Sequence, residues 1–382
     1  MTTTMTTDWT GAPSDSRWLE AADDVSATIG EDAAARDGAG DFVYDGLDAS
    51  RERGLLSMLV PADLGGGGAT YAETSAALAL LARGCPATAL TLSMHTHLVA
   101  AQVWRAKRDL PAPVLPRVAQ EQLMLVSTGA SDWIESHGSA SAVEGGFRVS
   151  ARKSPASGAP AGAVLVSSAR WETAPDGPQV IHFSVPFAAD GVSIEETWDT
   201  MGMRATGSHT VVLDDVFVPE AAVALVRPAG QWHPVWNTVV GVAMPLIMSV
   251  YVGVAEAAVE RALTFAAKRS DVDVVAPEVG RMLNRLRVAE DTVGAMIARV
   301  DDVRFDNTNE LAAEMLSRKT SAADAAIDTV RLAMEAAGGA GYTTGAGIER
   351  LYRDVHGALY HPLPASKQAR FTGRVALGLD PV

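Results

Sequence analysis

Cysteine is nearly absent: Cys85 stands alone among 382 residues. A single thiol excludes an internal disulfide and any multi-cysteine metal site, and it fits a reducing cytoplasm. Positive charge is scarce as well. Lys and Arg number 31 against 46 Asp and Glu, a formal net charge of −15, which argues against nucleic acid and anionic membranes as partners. The opening stretch MTTTMTTDWTGAP has neither a basic start nor an apolar run, so residues 1–13 are expected to form a disordered tail and no signal peptide. One apolar run, Val239 to Ala255, approaches a membrane span in length. It contains Pro245 and continues into the amphipathic EAAVERALTFAAKR, so it is expected to be a buried core helix. No G-x-G-x-x-G lies in a strand–turn–helix setting, and neither a P-loop nor a G-x-S-x-G elbow is present. The eight histidines are scattered. His95 and His97 lie two apart, which on a helix points them to different sides, so no metal site is expected.

What the chain does have is ample apolar material, 48% hydrophobic against 20% charged residues, enough for two or three domains. Periodicity divides it into three zones. Residues 14–120 read as helical. Thr70-x-x-Glu73 forms a capping box before the apolar run AALALLA, preceded by a glycine turn at Gly65 to Gly68. Another helix is expected from Ala87 to Arg105. Across 121–226 the period falls to two in LMLVSTG, GFRVSARK, GAVLVSSA, QVIHFSVP and TVVLDDVFVP, which predicts a small antiparallel barrel or sandwich. Across 227–382 long helices are expected at Thr238–Arg269, Pro277–Arg304 and Asn309–Ala337, with short connections that imply an antiparallel bundle.

Three motifs follow in order: GLLSMLVPADLGGGGATYAE (Gly54 to Glu73), WDTMGMRATGSHTVVLDDVFVP (Trp198 to Pro219) and GGAGYTTGAGIERLYRD (Gly338 to Asp354). Together they resemble the acyl-CoA dehydrogenase superfamily, over nearly the whole chain from about residue 17. The resemblance implies an α+β fold with an N-terminal α-helical domain, a middle antiparallel β domain and a C-terminal four-helix bundle. It also implies a flavin cofactor, FAD with FMN possible, and assembly as a homodimer or homotetramer.

It further implies which residues hold the flavin. Reduced flavin carries negative charge at one ring edge and needs donors there. Ser127 and Thr128, in LVSTGASDW, and Ser157, in RKSPAS, match hydroxyl residues of the family, Ser157 at the place that contacts N5. As bare residues these hydroxyls read as turn caps at strand ends. Arg269 matches an arginine that serves the flavin pyrophosphate. Here Ser270-Asp271-Val272 replace the usual Gln-Phe-Gly, a departure at the adenine end. Gly338, Gly339 and Gly341 match a loop that touches the flavin of a neighbouring subunit, and they also read as a helix C-cap.

The catalytic pattern departs from the family. Members acting on acyl-CoA place an arginine where Met244 stands, and some keep their glutamate at the place of Ala243. Others carry the glutamate in a Tyr-Glu-Gly-Thr loop, where it removes the α-proton of the thioester. That loop here reads Leu359-Tyr360-His361-Pro362-Leu363-Pro364. A histidine at this place resembles the flavin-dependent monooxygenase and N-oxygenase branch, in which reduced flavin activates O₂. The resemblance implies a flavin-dependent oxidoreductase that oxygenates or hydroxylates a small non-CoA substrate. His361 is the proton-transfer candidate, His95 or His97 could supply a second imidazole, and a separate flavin reductase could be a partner. As alternatives, the chain would dehydrogenate an acyl thioester through a displaced base, or bind flavin without turnover. As a plain residue, His361 reads as a surface histidine before a proline turn.

Overall fold

The computed structural model describes residues 6–128 and 132–382. The N-terminal zone contains α1 (Arg17–Gly30), α2 (Ala33–Ala39), α3 (Tyr44–Glu52), α4 (Tyr71–Gly84), α5 (Pro86–Ala106) and α6 (Val114–Glu121). Helix α4 begins at the expected capping box. The Glu73 N–H donates to the Thr70 hydroxyl at 3.1 Å, and the Glu73 carboxylate accepts the Thr70 N–H at 2.8 Å. The N-cap of α1, Ser16, donates its hydroxyl to the same carboxylate at 2.6 Å, which ties the starts of α1 and α4 together.

The middle zone contains β1 (Leu125–Ser127), β2 (Ser139–Val143), β3 (Gly146–Ala156), β4 (Val164–Trp171), β5 (Gln179–Pro186), β6 (Val192–Glu195), β7 (His209–Pro219) and β8 (Val223–Pro228). They form one eight-stranded sheet in the order β6-β7-β3-β2-β4-β5-β8, with β1 beside β4. Pairing is antiparallel except for β1 with β4 and a single parallel contact of β2 with β4. The β3 strand alternates as its sequence does, with Phe147, Val149 and Ala151 buried. The next inward residue is Lys153, whose buried ammonium pairs with the buried Asp132 carboxylate. That ion pair pins the segment after residue 131 to the sheet.

The C-terminal zone contains α7 (Val235–Ala266), α8 (Val275–Val300), α9 (Asn309–Ala337), α10 (Ile348–Val355) and α11 (Ala365–Ala376). The long helices α7, α8 and α9 pack on one another, α11 lies on α9, and α10 touches both α7 and α9. Helix α7 is apolar all round for a visible reason. It packs against α4, α5, α8 and α9. Its most apolar 18-residue window has a mean hydropathy of 2.0 and is 94% buried inside the protein. Pro245 breaks one backbone bond in it, and the Tyr71 hydroxyl of α4 donates to the Val242 carbonyl in the same turn at 2.7 Å.

Three zones by sequence thus pack around two cores. Leu78 and Leu81 of α4, Leu92 of α5, Val250 of α7 and Leu316 of α9 share one apolar cluster. Val149, Leu165, Ile181, Phe183 and Leu213 form a second within the sheet. The candidate site lies where strand ends and the last loop meet this helical core.

Candidate active site

Helix α5 carries both histidines of the H-x-H pair, and the structure separates them. His95 is fully buried. Its Nε2 bonds the Leu56 carbonyl at 2.8 Å, and the Leu125 N–H donates to its Nδ1 at 3.0 Å. Burial pushes its pKa down to about 4. With both ring nitrogens occupied by backbone groups, His95 joins α5 to β1 and the 55–57 turn. His97 lies on another side of the helix, as residues two apart must. It is also buried, with its pKa pushed down to about 4 by burial, and among the described residues its Nδ1 has no well-formed hydrogen bond although the Ser93 carbonyl is near.

His361 follows α10 in the last loop and is half-buried. The Tyr251 hydroxyl of α7 lies 2.8 Å from its Nε2. The Lys319 ammonium of α9 donates to the His361 carbonyl at 2.9 Å and to the Leu363 carbonyl at 3.4 Å. Burial, then the charge of Lys319, then His97 push the His361 pKa down to about 3, so its imidazole is neutral at physiological pH. Burial likewise brings Lys319 down to about 8. His97 and His361, far apart in sequence, are thereby brought into one neighbourhood. Tyr251 and Lys319 are the site residues that sequence reasoning missed. Met244 and Ala243, on the same α7, are both buried and apolar. The nearest preceding carboxylate, Asp354, accepts the Met203 N–H at 2.6 Å, and burial raises its pKa to about 6.

Ser157 lies just past the end of β3. Its hydroxyl is 2.7 Å from that of Ser208, which is 2.7 Å from that of Thr206, which donates to the Met203 carbonyl at 2.9 Å. Each hydroxyl has one hydrogen. Thr206 spends its own on Met203, so Ser208 donates to Thr206 and Ser157 to Ser208. Ser157 then faces outward as an acceptor. A Cβ at the next residue, Gly158, would lie 3.0 Å from Thr91 Cγ2 and 2.8 Å from Met124 Cε, so this turn sits tightly on α5. Among the described residues the buried Thr91 Oγ1 has no hydrogen-bond partner. An open groove of about 290 Å³ adjoins the turn, lined by Ala159, Pro160, Gly162, Phe187, Val192, Ser193 and Ile194. Thr128 shares a hydroxyl bond with Ser167 at 2.7 Å, and Ser127 is paired along β1 with Val166. Gly129 to Ser131, the rest of that loop, lie outside the described residues.

Arg269 and the glycine loop are brought together within one chain. A Cβ on Gly338 would lie 1.8 Å from Arg269 Nη1, and Gly338 itself has φ 65° and ψ −146°, a region reserved for glycine. A Cβ on Gly341 would lie 2.5 Å from the Met334 carbonyl, whereas Gly339 faces open space. Arg269 also stands 4.0 Å from Glu278. Among the described residues no group of three His, Cys, Asp or Glu side chains could hold a metal ion.

The residues fit a flavin. The Ser157 hydroxyl, an acceptor beside the groove lined by Pro160 and Phe187, is of the kind a flavin ring edge requires. Comparison with known proteins agrees with that chemistry. Residues 19–122 match the acyl-CoA dehydrogenase N-terminal domain and residues 246–363 the acyl-CoA dehydrogenase C-terminal domain. The chain is 29% identical to a putative acyl-CoA dehydrogenase of Bacillus subtilis, covering 91% of this chain and 93% of that one. It is 27% identical to the L-evernosamine nitrososynthase of a Micromonospora species, over 93% and 89%. The solved structure of KijD3 with FMN and dTDP-3-amino-2,3,6-trideoxy-4-keto-3-methyl-D-glucose superposes with a TM-score of 0.86 at 27% identity, over 98% of this chain and 97% of that one. Helical zone, sheet and helical zone, in that order and with those matches at both ends, place this chain in the acyl-CoA dehydrogenase superfamily of flavin-dependent oxidoreductases.

Proposed function

We propose that this chain is a flavin-dependent oxygenase acting on a small non-CoA substrate, with His361 managing the proton at the reacting centre. The observation that carries the reading is the wall around His361. Where acyl-CoA dehydrogenases need a carboxylate, this chain offers an imidazole held neutral. Met244 and Ala243 supply neither a charge for a thioester nor a replacement base, and Asp354 is engaged by the Met203 N–H. α-Proton abstraction requires a base with a free lone pair aimed at the substrate carbon; the Nε2 lone pair of His361 is taken by the Tyr251 hydroxyl at 2.8 Å, and none of the other groups is such a base.

Ser157, Thr128 and Ser127 are the residues we assign to the flavin ring edge, with Thr91 beside them. Bound reduced flavin supplies the electrons that activate O₂. Ser157 presents an acceptor oxygen to a ring N–H. His361 holds a hydrogen at Nδ1, the ring nitrogen that Tyr251 leaves free. FMN is the form we favour, because it is bound by KijD3, and because Arg269, which would face an adenine-side phosphate, is packed under Gly338 near Glu278. A separate reductase would then supply the reduced flavin, in the cytoplasm. A nitrogen-bearing sugar nucleotide is the substrate class suggested by the two sugar-handling relatives.

Assembly as at least a dimer belongs to the same reading. Tyr342 is 86% exposed beside the glycine loop, and Val272 and Val274 are exposed beyond Arg269, apolar surface suited to a second copy. The test of function is anaerobic. Flavin-loaded protein is mixed with a panel of short- to long-chain acyl-CoA esters while flavin absorbance is followed. No bleaching is expected with any ester. Rapid bleaching by one of them would establish dehydrogenation and overturn the proposal.

A further inference from the structure

We infer that Tyr251 is a positioning residue that locks His361 as a neutral hydrogen-bond donor through Nδ1–H, so that His361 serves the reaction as a donor and not as a base. This rests on the reading of His361 as the group that manages the proton, and it narrows what that group can do.

Tyr251 is 1% exposed, and its hydroxyl carries one hydrogen. Among the described residues its hydrogen-bond partner is His361 Nε2, at 2.8 Å. Burial first, and then the charge of Asp354, push the phenol well above its ordinary pKa, so it stays protonated. Suppose instead that Nε2–H donated to the phenol oxygen. The phenol hydrogen would then lie buried without an acceptor, a costly arrangement. The hydroxyl therefore donates, Nε2 accepts, and the single proton of a neutral ring resides on Nδ1.

The surroundings are built for this contact. A Cβ on Gly357 would lie 2.6 Å from the Tyr251 hydroxyl, so only glycine leaves the phenol its path to the loop. The titratable groups acting on the pair are Lys319 from α9, His97 from α5 and Asp354 from α10. Lys319 acts twice. Its buried ammonium holds the loop by two carbonyls, and its charge opposes an imidazolium beside it. With Nε2 occupied and protonation opposed, the ring has no lone pair to offer as a base. It has an N–H to direct at an oxygen that gains negative charge, the use a neutral histidine serves in other enzymes.

The test is ¹⁵N NMR of histidine-labelled protein without flavin, with the His361 signals assigned by their loss in His361→Gln. Wild type is expected to show a neutral ring protonated at Nδ1, unchanged from about pH 5 to 9. Tyr251→Phe, which removes one oxygen, should give a mixture of tautomers and an upward shift of the titration. Gly357→Ala, which leaves both partners in place but obstructs the hydroxyl, should move the signals in the same direction. With substrate and flavin, Tyr251→Phe should lower kcat by about 10- to 100-fold and leave flavin affinity unchanged. A wild-type ring protonated at Nε2, or titrating near its ordinary value, overturns the inference, as does a Tyr251→Phe ring with the wild-type tautomer. If the spectra are as expected yet His361→Ala turns over at the native rate, the functional reading fails while the positioning stands.

Discussion

Two regions of this chain carry the family's marks, and they differ in what explains them. In the 338–341 loop every constrained glycine has a local steric cause. Gly338 adopts a glycine-only backbone against Arg269, and Gly341 lies under the Met334 carbonyl. Around His361 local sterics explain little. A buried lysine bonds two carbonyls, and among the described residues no carboxylate forms an ion pair with it; a buried tyrosine spends its only hydrogen on an imidazole, and that imidazole is held neutral. Burying such groups costs stability; elsewhere in the chain that cost is met by structural pairing, as for Lys153 with Asp132 and for His95 with two backbone groups. On the proposed function, the histidine loop is where the reaction would be sought, while the geometry of the glycine loop is accounted for within one chain.

The sharpest way to break that comparison is to exchange side chains in each region. His361→Ala should lower turnover by about 10²–10⁴-fold, the range for a group that handles a proton, with flavin affinity within twofold of wild type by titration. A native rate would return His361 to the scaffold.

Lys319 provides the next largest effect. Its folded pKa, about 8, lies below its ordinary 10.5. Between those values the unfolded chain binds more protons than the folded one, so stability rises as pH climbs from about 8 to 10.5. Lys319→Met should remove that rise. At pH 7 the burial cost it relieves is on the order of 3 kcal/mol, offset in part by two lost hydrogen bonds. Chemical denaturation at pH 7 and pH 10 measures both, and equal pH slopes in the two proteins would refute the assignment.

Gly338→Ala should destabilise by about 1–3 kcal/mol in the same assay, because its backbone region admits no Cβ and Arg269 must move. Turnover per folded molecule should hardly change. Gly339→Ala is the smallest case. Nothing stands within 4 Å of the added carbon, so stability should shift by less than about 0.5 kcal/mol. A large loss of flavin affinity in this variant would instead place the loop at the cofactor of a neighbouring subunit.

Much of the fold was legible in the sequence. The expected Asn309–Ala337 helix is α9 to the residue, and α7 and α8 begin and end within four residues of their expected limits. Long helices announce themselves through many periods of one pattern. Strands β2, β6 and β8 were not legible. β2 buries only Ala140 of its five residues, β6 is four residues long, and neither provides an alternation to read. The division of three zones between two cores was also hidden, because periodicity marks an apolar face without saying what covers it. At the site, the loss of the glutamate was visible as a departure from a motif. Tyr251 was not, since a tyrosine in a helix apolar on all sides looks like core. Lys319, in LSRKTSAADAA, looks like solvent-facing charge until α9 is seen against the last loop. Their bonds to the His361 loop span 110 and 42 residues, and no sequence pattern reports a contact of that reach.

The most direct test of the central claim, that this site is organised around oxygen and His361, needs no substrate. Protein loaded with reduced FMN is mixed with oxygenated buffer in a stopped-flow spectrometer, and flavin absorbance is followed as it reoxidises. In the native protein, reoxidation is predicted to proceed in two resolved phases, and in His361→Ala to collapse to a single fast phase like that of free reduced flavin. A single phase with the same rate constant in both proteins would contradict the account.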